Sequence, residues 1–414
     1  MAKKKKKKSK FKKLLKELDT NSKFSMFEVL IIVLISILFG IIIGYVLTYA
    51  SSSINLIRND SNLEDIVFTY DKITNSYYKN VDKKKLSEAA ISGMTNYLGD
   101  PNTMYMNENI TDTFNESVDG YFVGIGVTIQ FDGEYNKVIK VNKNGPADKA
   151  GMKKNDIILS VDGTDCKDLY GSKISNLIKG KKGTTVNVKV KRGEEEVDLT
   201  IKRDKVDVES VIKKTFDVDG KKIGYIRITA FSSNTYDQFE KALDSLEKKK
   251  IDSLIIDVRS NPGGYLETAK KILSKFFNKK TVLYQIEDSK SNKKKIYSSS
   301  REIRKYPIVL LGDESSASAS EVIISCFKDN YKDASFVGMK TFGKGTIQDS
   351  QSLKSGNTIK YTTDRWLTSK GKNIDGKGLK PDYEVELDDS YLENPSDDND
   401  NQLQKAIELL KESH

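Results

Sequence analysis

The stretch DESSASASEVI, residues 313–323, places four serines within six positions and is a candidate site of nucleophilic chemistry. Apolar residues on both sides of it predict a strand, a polar turn and a helix. A serine in such a turn lies at a helix N-terminus, where free amides and the helix dipole favour a developing anion. Ser318-x-x-Glu321 also fits a capping box, so simple helix capping is the competing interpretation.

A nucleophilic serine needs a base, and the usual histidine partner is scarce here. The one histidine is the last residue, His414. A lysine can take the proton if burial keeps it neutral near pH 7, and serine–lysine pairs are a recognised variant of the catalytic triad. Lys344, in MKTFGKGTIQ, has a glycine on each side and no charged neighbour between Phe342 and Gln348. We therefore take Lys344 as the candidate base.

The residues around Lys344 alternate as in an extended strand. In that conformation Phe342, Lys344, Thr346 and Gln348 share one face. A fully extended chain would separate Lys344 from Gln348 by about 13 Å. These two residues can then meet only through their long side chains or through a bend at a glycine.

Acyl transfer also needs hydrogen-bond donors for the oxyanion. The amide that follows the nucleophile is one candidate. The stretch SNPGGYLETA offers a second, because it follows an apolar strand, opens a helix and exposes the backbone amides of Gly263 and Gly264. The alternative interpretation is a tight turn between a strand and a helix.

The elements around these stretches predict an α/β core. Two apolar runs, 223–229 and 254–258, are predicted to be buried strands, and a helical stretch, 236–248, lies between them. This β-α-β order implies parallel strands. Further predicted elements are a helix at 265–277, a strand at 308–311 and a helix at 320–327.

A β-rich unit at residues 119–203 precedes this core. It contains YFVGIGVTI and NGPADKAGMKKNDIILSVDG, and it resembles a PDZ domain over its whole length. PDZ domains bind peptide C-termini by adding the peptide as a strand to a sheet edge. The resemblance implies that the amides of Gly124, Ile125 and Gly126 bind the peptide carboxylate. The alternative is that the glycines only permit a bend.

The order of the motifs resembles that of the carboxyl-terminal processing peptidases, also called tail-specific proteases. The PDZ-like unit is followed by IGYIRITAF, LIIDVRSNPGG, SSASASEV, TFGKGTIQ and GKGLKPD. The resemblance covers about residues 60–385 and implies a serine endopeptidase with a Ser-Lys dyad. It further implies a protease core at 204–385 with the ββα fold of Clp protease and crotonase, joined to an inserted PDZ domain.

The same resemblance implies roles for individual residues. Ser318, the middle serine of the S-A-S-A-S-E run, is the nucleophile, Lys344 is the base and Gln348 orients the base. The oxyanion amides are those of Ala319 and of one glycine of the pair, Gly263 or Gly264.

The resemblance also implies the substrates, which are proteins or peptides with free, apolar C-termini. No cofactor is implied, and a regulatory partner protein is left open. A catalytically silent PDZ adaptor on a protease scaffold is the alternative from another class, but Ser318, Lys344 and Gln348 are all present. An acyl-CoA enzyme of the crotonase type would share the fold without explaining the PDZ unit.

The N-terminal segment predicts a membrane anchor. Residues 1–26 hold eleven lysines against two acidic residues, so the rest of the chain is nearly neutral and no nucleic-acid groove is expected. Residues 29–47 are uncharged and nearly as long as the ~20 residues that cross a bilayer. The lysines predict a cytoplasmic tail at 1–26, a single anchor in the cell membrane at 27–49 and an extracytoplasmic catalytic domain.

The competing interpretation of this segment is a cleaved signal peptide, because residues 48–50 resemble a small-x-small cleavage site. The long basic region and the full length of the apolar run favour a retained anchor. The lysine- and asparagine-rich composition indicates a bacterium with AT-rich DNA.

The two cysteines, Cys166 and Cys326, lie far apart and in different predicted domains, so a disulfide framework is not expected. Two cysteines and one terminal histidine also give no metal-site spacing. We expect both cysteines to be small residues of the core, and no metal site is predicted.

The flanking regions are predicted to be helical. Residues 54–118 form an N-terminal helical region, with one helix at 84–98. The tail, 386–414, combines an acidic linker with an amphipathic helix at 401–413. Its apolar face, Leu403, Ile407 and Leu410, must pack on its own domain or on a second copy, so a homodimer is left open.

Overall fold

The computed structural model describes residues 26–131, 133–169, 171–301 and 303–412. The chain divides into two compact units on either side of residue 90. The lysine-rich segment before residue 26 and the terminal His414 lie outside the described residues.

The first unit is helical. It contains α1 (Met26–Asn59), α2 (Ser61–Ser76) and the start of α3 (Lys83–Tyr97). Asp60 begins α2 as its N-cap and accepts from the amide of Asn62 at 3.0 Å. Within α1, the stretch Phe27–Tyr45 is long and apolar enough to cross a membrane, a property that a signal sequence near an N-terminus shares.

In the second unit the end of α3 is followed by a strand, β1 (Met104–Met106), and a helix, α4 (Glu108–Asp119). The side chain of Asn107 caps the start of α4 by accepting from Ile110 N at 3.1 Å. The helix ends at Gly120, whose φ of +75° is the left-handed conformation that suits glycine after a helix.

A β-rich module follows α4. Its elements are β2 (Tyr121–Gly124), β3 (Val127–Phe131), β4 (Asn136–Val141), α5 (Pro146–Lys149), β5 (Ile157–Val161), β6 (Thr164–Asp165), α6 (Ser172–Ile178), β7 (Thr185–Arg192), β8 (Glu195–Lys202) and β9 (Asp204–Asp207). The main sheet has the order β3-β4-β5-β7-β8, with β6 paired to β5, and β2 pairs separately with β9.

The core of this module follows the period-two pattern of its strands. In β7, Val186, Val188 and Val190 alternate with more exposed residues and are fully buried. Cys166 is buried in the same core and Cys326 is buried in the core of the chain that follows this module, both with free thiols. The prediction that both cysteines are core residues is confirmed.

The remaining chain forms an α/β core. Its strands are β10 (Val211–Val218), β11 (Lys221–Ile228), β12 (Ser253–Asp257), β13 (Val282–Glu287), β14 (Lys293–Tyr297), β15 (Ile308–Gly312), β16 (Ala334–Gly338), β17 (Thr346–Ser352), β18 (Thr358–Thr368) and β19 (Tyr383–Glu384). Its helices are α7 (Thr235–Glu247), α8 (Leu266–Leu273), α9 (Ala319–Asn330), α10 (Asp389–Glu393) and α11 (Asn401–Glu412).

One sheet of this core has the order β10-β11-β12-β15-β16-β19. Every pair from β11 onward is parallel, and β10 is antiparallel to β11. All five residues of β12 are buried, as expected for a parallel strand with both faces covered. Helices α7, α8 and α9 contribute to the apolar cluster on one face.

The C-terminal helix covers the other face of this sheet. Leu403, Ala406, Ile407 and Leu410 of α11 are buried with Tyr225, Ile255 and other strand residues. The predicted apolar face of the tail therefore packs on its own domain. The tail is also tied to the strand end by Arg259, which donates to Asp400 at 2.8 Å.

A second sheet lies in the same core, with the order β1-β18-β13-β14 and β17 paired to β18. All of its pairs are antiparallel. Here the helical prediction for 54–118 is wrong at one place, because Met104–Met106 is a strand that pairs with Thr358–Lys360. A three-residue strand has no sequence period of its own, and only its partner strand stabilises it.

Candidate active site

Ser318 differs from its neighbouring serines in its surroundings. Ser316 and Ser320 are fully buried, and their hydroxyls donate to Val258 O at 2.8 Å and Asn261 O at 2.9 Å. Ser318 is only half-buried and lies directly before α9. Two of the serines therefore hold the turn together, while Ser318 remains accessible at the start of the helix.

The backbone at Ser318 is strained. Its φ is +55°, in the region that residues with side chains rarely adopt. The turn is held in this form by the Ala317 amide, which donates to Asn261 O at 3.0 Å, and by the Ser318 amide, which donates to Glu321. The predicted strand, turn and helix are confirmed, and the strained turn holds Ser318 at the helix N-terminus.

The glycine pair lies against this turn. A Cβ placed on Gly263 would lie 2.8 Å from Ala317 O and 2.9 Å from the Ser318 Cβ, so only glycine permits the approach. The parallel pairing of β12 with β15 explains the proximity, because the carboxyl ends of neighbouring parallel strands lie at one edge of a sheet.

The two glycine amides are not equivalent. Gly263 N donates to Asn261 Oδ1 at 2.8 Å, and the buried Asn261 donates in turn to Ile228 O at 2.8 Å. The Gly264 amide has no acceptor in the part of the chain that the structure describes. Ala319 N is the first amide of α9, and the first amides of a helix have no hydrogen-bond acceptor within the helix itself.

Glu321 joins the serine turn to the lysine segment. Its carboxylate is fully buried and takes four hydrogen bonds. Oε2 accepts from the amides of Ser318 at 2.8 Å and Lys344 at 2.9 Å, and Oε1 accepts from Thr341 Oγ1 and Gly343 N at 2.6 and 2.7 Å. Because one oxygen accepts from both amides, the distance between the backbone nitrogens of Ser318 and Lys344 cannot exceed the sum of these two hydrogen-bond lengths.

Glu321 therefore has two roles: it caps the helix, and it also connects the two segments of the candidate active site. Glu321 accepts from the Ser318 amide as in a capping box, and it also holds the Lys344 backbone. Burial raises the pKa of Glu321 in spite of these hydrogen bonds, which lower it. The sequence pattern indicates the cap but contains no signal for the second contact.

Lys344 lies in an irregular segment before β17, because Gly343 takes a φ of +90°. The predicted alternation over Phe342–Gln348 is wrong at its start: Phe342 is 66% exposed while Lys344 is half-buried. The glycine turns the lysine inward, and the Trp366 indole fixes the segment by donating to Lys344 O at 2.8 Å.

The Lys344 side chain is half-buried and interacts electrostatically with two charged groups. Burial lowers the pKa of Lys344, the positive charge of Lys360 lowers it further, and the Asp100 carboxylate opposes both. Within the described residues the ammonium makes no hydrogen bond or ion pair, and it does not bond Ser318. Loose contacts between nucleophile and base are common in enzymes without substrate.

Gln348 lies in β17, directly opposite Thr362 in β18. Its Nε2 donates to Thr346 Oγ1 at 2.9 Å and to Thr362 Oγ1 at 3.2 Å. Among the described residues, no hydrogen bond joins Gln348 to Lys344. The predicted orienting role is therefore not realised by a direct hydrogen bond.

Asp100 is a residue of this site that the sequence interpretation missed. Its carboxylate accepts from Thr362 Oγ1 at 2.5 Å and from Thr103 Oγ1 at 2.7 Å. Burial opposes its ionisation, but hydrogen bonds from Thr362, Thr103 and Asn102 lower the pKa of Asp100. Asp100 follows a predicted helix in a segment with no chemical motif, so only tertiary structure reveals it.

Of the predicted carboxylate-binding residues, Gly124 is the last residue of β2, and Ile125 and Gly126 form the loop from β2 to β3. The carbonyls of Ile125 and Gly126 accept from Ala147 N at 2.8 Å and Asn142 N at 2.9 Å, which fixes the loop. Gly126 has a φ of +78°, and Ile125 is buried in the module core. Among the described strands β3 lies at one end of its sheet, which leaves an edge for an added strand.

Comparisons with known proteins agree with this architecture. Residues 222–385 match the model of peptidase family S41, residues 123–203 match a PDZ domain, and residues 47–110 match the N-terminal domain of the activating protease CtpB. The chain belongs to peptidase family S41, the carboxyl-terminal processing serine proteases, and contains a PDZ domain.

Two relatives illustrate the similarity. The carboxy-terminal processing protease CtpB of Bacillus subtilis is 37% identical over 341 residues, which are 81% of this chain and 70% of that protein. A CtpA-like serine protease of Staphylococcus haemolyticus is 38% identical over 325 residues, 78% of this chain and 64% of that protein. The chain thus spans about two thirds of the length of these relatives.

A solved structure of an S41 protease from Bacteroides fragilis has the same fold, with a TM-score of 0.52 at 16% identity. The match covers 81% of this chain and 92% of that one. The predicted family, the α/β fold with a PDZ domain and the serine protease class are confirmed.

Proposed function

We propose that Ser318 is the nucleophile and Lys344 the general base of an endopeptidase. The observation that carries this proposal is the buried Glu321 carboxylate, which binds the Ser318 and Lys344 amides through one oxygen. A half-buried lysine with a lowered pKa beside a strained serine is the combination that a serine–lysine dyad needs.

The reaction follows from this arrangement. Neutral Lys344 takes the hydroxyl proton as Ser318 Oγ attacks the carbonyl carbon of the scissile peptide bond. The carbon–nitrogen bond breaks as the ammonium returns a proton to the leaving amine, and an acyl-enzyme ester remains. Water then attacks the ester with Lys344 again as base, which releases a carboxylate and restores Ser318.

The oxyanion is stabilised by backbone amides. Ala319 N at the start of α9 is one donor, and of the glycine pair we assign the second donor to Gly264. Its amide has no acceptor among the residues that the structure describes, whereas that of Gly263 already donates to Asn261. Gly263 instead provides the space that lets the two segments approach. Gln348 acts through Thr362 to order the surroundings of the base.

The PDZ domain recognises the substrate's C-terminus in this proposal. The amides of Gly124, Ile125 and Gly126 bind the carboxylate, and the peptide adds as a strand to β3. A peptide with an apolar free C-terminus is expected to bind the full chain, and its amidated form to bind much more weakly. Equal binding of both forms, measured by fluorescence anisotropy, would refute carboxylate docking.

The apolar part of α1 serves as a retained anchor in this proposal, with the lysine-rich N-terminus in the cytoplasm and the protease outside. The expected behaviour is that the protein resists carbonate extraction from membranes, while external protease digests its catalytic part in intact protoplasts. Release of a shortened chain into the medium would instead indicate a cleaved signal sequence.

Proteolysis by the full chain in mild detergent tests the dyad. The substrate is an unstructured protein with an apolar C-terminus, and the variants are Ser318→Ala, Lys344→Met and the control Lys340→Met, an exposed lysine in the same segment. We expect cleavage by the wild type and the control, and a loss of at least about 1000-fold in the other two. Activity retained by Lys344→Met would exclude it as the base.

A further inference from the structure

The segment before β1 is hydrogen-bonded to β18 of the second sheet. Thr103 Oγ1 donates to Asp100 and accepts from Thr362 N at 3.1 Å, which ties the segment to β18. The Thr362 hydroxyl donates to Asp100 and accepts from Gln348 Nε2. A continuous hydrogen-bonded path thus runs from the Asp100 carboxylate through Thr362 to Gln348.

A second lysine shares this location. Lys360 precedes Thr362 by two residues in β18, so both side chains lie on the same face of the strand. Lys360 Nζ lies over the ring of Phe114 in α4, 5.3 Å from its centre. Burial lowers the pKa of Lys360, and the Asp100 carboxylate opposes that effect.

The pairing of β17 with β18 brings Asp100 and Lys360 into the neighbourhood of Lys344, which lies two residues before β17, and their opposite charges act on it with opposite sign. A neighbouring ammonium disfavours protonation of a lysine, and a neighbouring carboxylate favours it. Two other carboxylates lie on the backbone side of the segment: Glu321 accepts from Lys344 N, and Asp375 accepts from Gly345 N at 2.9 Å.

We propose that Asp100 and Lys360 are a pair of positioning residues with opposite effects on the base. Lys360 keeps Lys344 neutral at physiological pH, and Asp100 limits that effect while it holds Thr362 and Gln348 in place. This inference rests on the proposed role of Lys344. It gives the segment around Asp100 a function in the chemistry of a site that lies more than two hundred residues away in sequence.

The opposite signs provide a test that structural damage cannot imitate. The free enzyme's essential base sets the acidic limb of the pH profile of kcat/KM. Loss of the Lys360 charge should make Lys344 easier to protonate and move this limb to higher pH. Loss of the Asp100 charge should move it to lower pH. General misfolding would lower the maximal kcat/KM. It would not move the acidic limb to higher pH in one variant and to lower pH in the other.

The experiment measures kcat/KM from pH 5 to 10 for the full chain in detergent, with a short chromogenic peptide. The variants are Lys360→Met, which keeps the apolar stem over Phe114, Lys360→Arg, which keeps the charge, and Asp100→Asn. Lys354→Met removes one exposed positive charge from the turn between β17 and β18 and is the matched control.

We expect Lys360→Met to lose up to about tenfold in kcat/KM at pH 7 and to recover at high pH, while Lys360→Arg and Lys354→Met keep the wild-type limb. Asp100→Asn should shift the limb the other way. The proposal is overturned if Lys360→Met leaves the limb unmoved, or if both variants shift it in one direction. Lys344→Met runs alongside, and activity in that variant would contradict the dyad itself.

Discussion

The reactivity assigned to Ser318 depends on residues that do no chemistry themselves. Ser316 and Ser320 donate inward and Glu321 binds the backbone on both sides of the site, so Ser318 is held in a strained, accessible turn. A serine-rich motif thus combines one reactive position with several structural ones. The same holds at the lysine, where Trp366 fixes the backbone carbonyl and leaves the ammonium unpaired in the described structure.

Replacement of Glu321 tests this division of roles. Glu321→Gln keeps the size of the side chain but turns an NH₂ group toward two of the four donors, which leaves buried donors unpaired. We expect the protease domain to lose about 2 kcal/mol or more of stability and most of its activity. Urea unfolding and peptidase assays measure both effects.

The exposed Glu314, seven residues earlier, provides the control. Glu314→Gln should leave stability within about 0.5 kcal/mol of the wild type. Wild-type stability and activity in Glu321→Gln would mean that the carboxylate does not join the two segments as described.

At the scale of elements, the segment after β16 carries Lys344, and two loops at the carboxyl ends of β12 and β15 carry the glycine pair and Ser318. Their contact is close enough that glycine is required at Gly263, where the backbone has a φ of +103°. The site is therefore sensitive to one added methyl group.

Gly263→Ala should displace the serine turn. The new Cβ would overlap Ala317 O and the Ser318 Cβ, and a shift of about 1 Å in such a site can reduce activity about 100-fold. The matched control is Gly356→Ala, where φ is +84° but the surroundings are open. It should cost only about 1–2 kcal/mol of backbone strain and no activity. Equal activity losses in both variants would show that strain alone, and not contact with the turn, explains the effect.

The parts of the site that depend on short motifs could be predicted from sequence. Short motifs in the sequence identify Ser318, Lys344 and the glycine pair as candidates for a catalytic role. The β-α-β pattern also places Ser318 and the glycine pair at strand ends. Asp100 and Lys360 could not be predicted in this way. The pairing of β1 with β18 brings Asp100 to this region, and a three-residue strand leaves almost no periodic signal. Lys360 is placed there by the pairing of β17 with β18.

At the scale of the whole molecule, the C-terminal tail belongs to the protease domain. Its helix α11 buries four apolar residues against the parallel sheet, and Asp400 and Gln402 accept from Arg259 in the segment that leads to the glycine pair. The acidic composition of the tail suggested a linker. One of those acidic residues, Asp400, is in fact the buried ion-pair partner of Arg259.

Truncation of a buried leucine in α11 should destabilise the protease domain. Leu410→Ala leaves a cavity under the sheet and is expected to cost about 2–5 kcal/mol, seen as an earlier urea midpoint for loss of activity. Leu392→Ala, at a position that is 65% exposed, is the control and should change the midpoint little. Indistinguishable midpoints for the two variants would contradict the packing of the tail on its own sheet.

The central claim, that Lys344 activates Ser318, is tested most directly by covalent labelling. A fluorophosphonate probe reacts when a serine oxygen attacks phosphorus and fluoride leaves, so it reports the nucleophile without any need for a known substrate. The full chain would be labelled in detergent and the modified residue mapped by mass spectrometry for the wild type, Lys344→Met and Lys340→Met. The account predicts labelling of Ser318 in the wild type and in Lys340→Met, and its loss in Lys344→Met. Labelling of Lys344→Met at the wild-type rate, or labelling of a different serine, would contradict it.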